Sequence, residues 1–175
     1  MALTLNGSAN TITPVSAVQP TGAILQVLQA VKTDTFSNSN EAWADITGVS
    51  VAITPASSSN KILVNYGGLM GSGSNYMGHI RLVRDSTTDV FVGAQGESSQ
   101  ARASSTCAQN NIYYVSAFTG QFLDSPSTTS ATTYKLQIAA GDESQTVYIG
   151  RDFQNSNEFS RSRTPTWITV IEVAG

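Results

Sequence analysis

The chain offers little that catalysis or metal binding could use: its 175 residues include one cysteine, Cys107, and one histidine, His79. A single cysteine closes no intrachain disulfide, and its neighbours Thr106 and Ala108 give no metal-ligand spacing. One His with one Cys cannot complete a tetrahedral zinc site. A Ser-His-Asp triad would have to use His79. That residue alternates with Ile80 and Leu82, so on a strand it points away from the face those two share. With no partner to orient it, a sheet-face histidine beside Arg81 is the better reading. The stretch from Gly67 to Gly73 lacks the following Lys-Ser or Lys-Thr of a phosphate cradle. Asp152, Asn155, Asn157 and Glu158 crowd oxygens into one segment, but without EF-hand spacing, and read as a solvated loop rather than a calcium site. No Asp or Glu stands out as half of a glycosidase pair. The sequence therefore yields no catalytic, metal-binding or cofactor-binding residue, and a non-enzyme without a cofactor is expected.

Charge is also scarce. Asp, Glu, Lys and Arg make up 12% of the chain, about half the usual ~25% of a soluble domain. The net charge of −3 and the pI near 4.9 give no basic face, so no nucleic-acid partner is expected. No run of about 18 apolar residues occurs, so no membrane insertion is expected either. Met1 is followed by Ala2-Leu3-Thr4-Leu5-Asn6 with no basic lead and no long apolar stretch. That argues against a secretory signal and for synthesis in a reducing cytoplasm.

What remains is 40% hydrophobic residues set among Ser, Thr, Asn and Gly. Residues 1–22 are Thr/Asn/Ser-rich, with Pro14 and Pro20 and only scattered apolar positions such as Leu3, Leu5 and Ile12. They read as an extended N-terminal arm that orders against a partner. From residue 23 to 175 the pattern is period two between turn clusters, the mark of a single all-β body. Strands are expected at Ile24–Val31 (where a short helix also fits), Trp43–Thr47, Val49–Ile53, Ile62–Tyr66, Ile80–Leu82, Val90–Val92, Tyr134–Ile138, Val147–Ile149 and Trp167–Val173. The longest alternation is expected at Ile112, Tyr114, Ser116 and Phe118, and Gly67, Gly68, Gly71 and Gly73 are expected to bend or bulge their strand. Apolar residues on both sides of Trp167–Val173 predict a central strand buried on both faces. Eight to ten irregularly spaced strands favour a jelly-roll-like β-sandwich over a propeller or solenoid. So few charges leave strand edges unprotected, which points to closure or assembly.

Two loops, Ala94–Asn110 and Asp152–Thr164, are long enough to be functional. The second carries Phe153, Phe159, Arg161 and Arg163. Aromatics beside arginines suit a protein or sugar contact; alternatively the phenylalanines return to the core under the arginines. Tyr76, Tyr113, Trp43 and Phe159 are the candidate stacking platforms for a glycan.

Several blocks resemble a β-module of marine tailed-phage virion proteins, found in tail fibres and capsid decorations. They are Leu25-Gln26-Val27-Leu28-Gln29-Ala30-Val31-Lys32-Thr33-Asp34-Thr35-Phe36, Ile46 through Pro55, Ser58 through Val64, His79 through Asp85, and Leu123-Asp124-Ser125-Pro126 through Leu136. Met1 through Ser8 is similar to the start of such proteins, but the long spacer that many of them place after it is missing. The resemblance implies a homotrimer on the virion surface. The missing spacer favours a capsid decoration or short head fibre, anchored by its arm to the major capsid protein or another virion protein. A tail-fibre or tail-tip module that binds a host-surface glycan is the alternative. Leu3, Leu5, Ile12, Phe153, Phe159, Arg161 and Arg163 are the candidate partner contacts.

Overall fold

The computed structural model describes residues 19–175. Among these residues, eleven strands form two antiparallel sheets packed face to face. The larger sheet holds β1 (Ile24–Lys32), β11 (Thr166–Val173), β4 (Lys61–Ser72) and β8 (Ser116–Asp124) side by side, with the short β10 (Val147–Ile149) and β2 (Phe36–Asn38) beyond β11 along β4. The smaller sheet holds β3 (Ala44–Ile53), β9 (Thr132–Ala140) and β5 (Tyr76–Arg84). The far edge of β5 pairs with β7 (Ser105–Gln109) over one half and β6 (Thr88–Phe91) over the other.

Alternation builds the core. Ile62, Val64 and Tyr66 on β4, with Ile168 and Val170 on β11, face inward. They meet Val51 and Ile53 on β3, Tyr134, Leu136 and Ile138 on β9, and Ile80 and Leu82 on β5. Burying each such aliphatic side chain contributes about 1.5–3 kcal/mol before entropy is counted.

Two buried carboxylates fasten one end of the sandwich. Asp124 accepts 2.6 Å hydrogen bonds from Arg84 and from the Tyr134 hydroxyl, joining β8 of one sheet to β5 and β9 of the other. Glu172 accepts from the Ala56 amide at 2.7 Å and from Asn60 and Gln26 at 2.5 Å each. Buried charge is tolerated because donors surround it.

Several sequence expectations need correction. Ile24–Lys32 is the expected strand, which rules out the short helix that also fits its spacing. The two pieces expected from Trp43 to Ile53 are one strand, β3, whose register slips between Asp45 and Ser50 around Gly48, at φ 85°. β4 runs unbroken through Gly67, Gly68 and Gly71. These glycines make room for neighbours rather than bends: a Cβ on Gly68 would lie 2.8 Å from the Phe118 ring, and one on Gly71 2.8 Å from the Asp152 Cα. The alternation at Ile112 and Tyr114 is a turn, closed by the Tyr113 amide on the Asn111 side chain and the Tyr114 amide on the Asn111 carbonyl. Strand β8 starts only at Ser116. The expected loop Ala94–Asn110 ends in β7, so Cys107 lies buried on a strand and not in a polar loop. Trp167–Val173 is central as expected, but no strand among the described residues packs over its outer side.

Candidate interaction surfaces

The strand registers give the sandwich two distinct ends. Ile24, Val173, Lys61 and Asp124 lie at one end, where the Gly22 amide bonds the Ala174 carbonyl, so the described chain enters and leaves there. At the other end lie the turn at 110–115 and the loop at 150–165. Among the described residues, the exposed aromatic side chains Tyr113, Tyr114, Phe153 and Phe159 all lie at this second end.

The 150–165 loop is shaped by polar contacts. Asp152, buried, accepts the Asn155 amide at 2.7 Å and lies 3.5 Å from the Arg161 guanidinium. Its oxygens are thus turned to protein donors rather than arranged for calcium. Arg161 covers the Tyr113 ring at 4.2 Å, and Arg163 donates to the Asn155 side chain at 2.8 Å. Arg151 stacks on Tyr148 at 3.7 Å, and Phe153 meets that ring edge-on. A recess of about 210 Å³ opens between Arg151, Asn155, Asn157, Glu158 and Arg163. Neither phenylalanine returns to the core: Phe153 is partly exposed and Phe159 stands fully in solvent. The structure therefore brings Phe153, Arg161 and Arg163 into one cluster and sets Phe159 outside it. Leu3, Leu5 and Ile12 lie outside the described residues.

The outer face of the smaller sheet is ionic. Asp45, Gln137, Arg81 and Asp89 form a chain across β3, β9, β5 and β6, with bonds of 2.6 Å and 2.7 Å and an ion pair at 3.2 Å; Lys135 adds a second pair to Asp45 at 2.8 Å. Lys135 and Gln137 hold the Asp45 carboxyl below its ordinary range despite some burial. Arg81 also covers Trp43 at 4.4 Å, so that platform is already occupied on one side. Tyr76 is half-buried.

His79 sits on this outer face as alternation predicts, its Nδ1 3.1 Å from the Thr106 hydroxyl. Burial lowers its affinity for a proton, and the Glu41 charge only partly opposes this. Burial pushes the Cys107 thiol up to about 11. These environments favour a neutral imidazole and a protonated thiol.

No protein-family model matches this chain, and no curated protein matches it. Among solved structures, the whole chain aligns with part of a chain in a structure of infectious bursal disease virus, Gx strain, at 11% identity and a TM-score of 0.45. The alignment spans 42% of that neighbour's length.

Proposed function

We propose that this chain is a structural subunit of a bacteriophage virion: a homotrimeric capsid decoration or short head fibre, held to the shell by its N-terminal arm. The observation that carries this reading is the opposition of the two ends. The described chain enters at the end fastened by Asp124 and Glu172, while the exposed aromatics and the arginine-rich loop lie at the other. A module tethered at one end and presenting loops at the other suits a surface component. The strand order β1-β11-β4-β8 against β3-β9-β5-β6/β7 supports a jelly roll for the body, although a fold alone does not imply a role. The non-enzymatic reading is supported by Cys107, whose thiol burial makes a poor nucleophile, and by His79, whose Nδ1 meets the Thr106 hydroxyl rather than a carboxylate that would orient it as a base.

Cryo-EM of the particle that carries this chain tests the reading. Copies on the shell in numbers close to those of the capsid protein are expected, and these should vanish when residues 1–22 are deleted. A few copies at the tail would move the chain to the receptor-binding alternative. Absence from the particle would overturn both.

A second reading, a host-glycan module, is favoured by the Arg- and amide-lined recess in the 150–165 loop, which also carries the exposed Phe159. Saccharide titration followed by NMR checks it: shifts confined to Asn155, Asn157, Arg163 and Phe159 are expected, and no shifts at millimolar sugar would refute it.

A further inference from the structure

We propose that the outer face of the larger sheet is the surface through which one copy of this chain binds another. Strand register lines its side chains up in rows across four strands. Val27 on β1 pairs with Ile171 on β11, Ile171 with Leu63 on β4, and Leu63 with Leu123 on β8. The next outward row is uncharged and polar: Gln29 donates to Thr169 at 2.8 Å, and Gln121 donates to Asn65 at 2.6 Å. The row after it carries Val31 opposite Trp167. Single exposed apolar residues are ordinary, but contiguous rows of them mark a contact surface. Val27 is 55% exposed, Val31 51% and Leu123 49%.

Charge favours a second copy as the occupant. These rows hold no carboxylate, and Lys61 is the one charge at their margin. A charged partner would leave its ions buried without counterparts, at a cost of several kcal/mol per ion. The smaller sheet's outer face, crossed by Asp45, Lys135, Arg81 and Asp89, is that kind of surface and is excluded. This face is its own match. Its apolar residues lie at both edges, so around a threefold axis the β1 side of one copy meets the β8 side of the next. The amides between them both donate and accept, and so can pair across copies. Four strands at ~4.8 Å spacing and eight residues at ~3.4 Å give a footprint on the order of 500 Å² before side-chain relief. That is below the ~800 Å² per partner of a standard interface, and around a threefold axis it is shared between two neighbours, so these rows form the centre of the contact and not its whole extent.

This inference rests on the proposal that the chain assembles with itself, and the test separates the two. Sedimentation velocity compares the full chain with V27K/L123K and with A52K, which puts a lysine on the exposed outer side of β3. Trimeric wild type and A52K are expected, with V27K/L123K folded by circular dichroism but at least a hundredfold weaker in association. In a C107S background, Val27→Cys with Leu123→Cys should be linked between copies by a short bis-maleimide. Persistence of the V27K/L123K trimer, or the absence of linked species from a trimeric cysteine variant, would overturn the face while leaving assembly intact. A monomeric wild type would overturn both.

Discussion

Glu172 is 1% exposed, yet its carboxylate is ringed by three donors, from Ala56, Asn60 and Gln26. Burial alone would raise its pKa; the bonds from Asn60, Gln26 and Ala56 outweigh that and hold it below the ordinary glutamate range. Hydrogen bonds to a charged group contribute about 1.5–3 kcal/mol each before the cost of desolvating the carboxylate is subtracted. Glu172→Ala removes all three and orphans a buried amide side chain, for an expected net loss of about 3 kcal/mol. Glu172→Gln keeps the shape and an acceptor for Ala56 and Asn60, but sets an NH₂ against the Gln26 amide, which cannot turn over without losing its 2.9 Å bond to the Thr54 carbonyl. About 1–2 kcal/mol should be lost there. In a chain of this size about 2–4 °C of Tm accompanies each kcal/mol, so Glu172→Ala should melt roughly 6–12 °C lower. The pH dependence supplies the sharper test. With the folded pKa depressed, the stabilisation is complete above the unfolded value of about 4.3 and is lost as pH falls through the folded one. Wild type and Glu172→Gln, melted at one protein concentration, should therefore differ most near neutrality and converge on acidification. A gap that stays constant from neutral pH down to the acid limit of folding would refute the reasoning, as would a Glu172→Ala protein as stable as wild type.

Gly71→Ala should cost about 1–3 kcal/mol, because its new Cβ would press on the backbone of Asp152; denaturant unfolding measures the loss, and faster proteolysis of the 150–165 loop should accompany it. Cys107, 3% exposed with its thiol raised to about 11, should resist maleimide at pH 8 until the chain unfolds. Rapid native labelling would contradict its burial on β7. Lys135→Ala, which breaks a pair whose Asp45 side chain is 53% exposed, should change stability by about 0.5 kcal/mol or less. A larger loss would mean that the ionic row on the smaller sheet holds the fold together.

Much of the sandwich was legible because β11 and the first halves of β4 and β9 alternate strictly. Tyr134, Leu136 and Ile138 pointed inward as read, and so did Ile80 and Leu82, which put His79 on the outer side. The errors have physical causes. Glycines on β4 looked like breaks, because a sequence does not reveal that the space of a missing side chain is taken by Phe118 or by the backbone at Asp152. Ile112 and Tyr114 alternated like a strand, but Asn111 captures the next amides and turns the chain before Ser116. Cys107 fell in a run of small polar residues that says little about burial, and only pairing along β5 draws β7 into the sheet. The candidate site was half legible: Arg161 and Arg163 were found with their loop, but Tyr113, which receives Arg161, is far from it in sequence. The buried carboxylates carried no signal, since their partners come from separate strands.

The pattern on β11 links composition to assembly. Trp167, Ile171 and Val173 alternate with Ile168 and Val170, and a strand apolar on both sides needs a cover on both sides. The smaller sheet supplies one cover, since Ile168 and Val170 are fully buried beneath it. No strand of the described chain supplies the other, and Trp167, Ile171 and Val173 remain half-exposed. The 12% charge content is therefore not spread evenly: ion pairs cross the outer side of the smaller sheet, while the central rows of the larger one carry none. A lone sandwich would gain solubility from charges on both outer faces. On the self-association proposed above, a chain that leaves one face bare and lines it with register-matched apolar rows would draw the cover that β11 lacks from the same face of its neighbours.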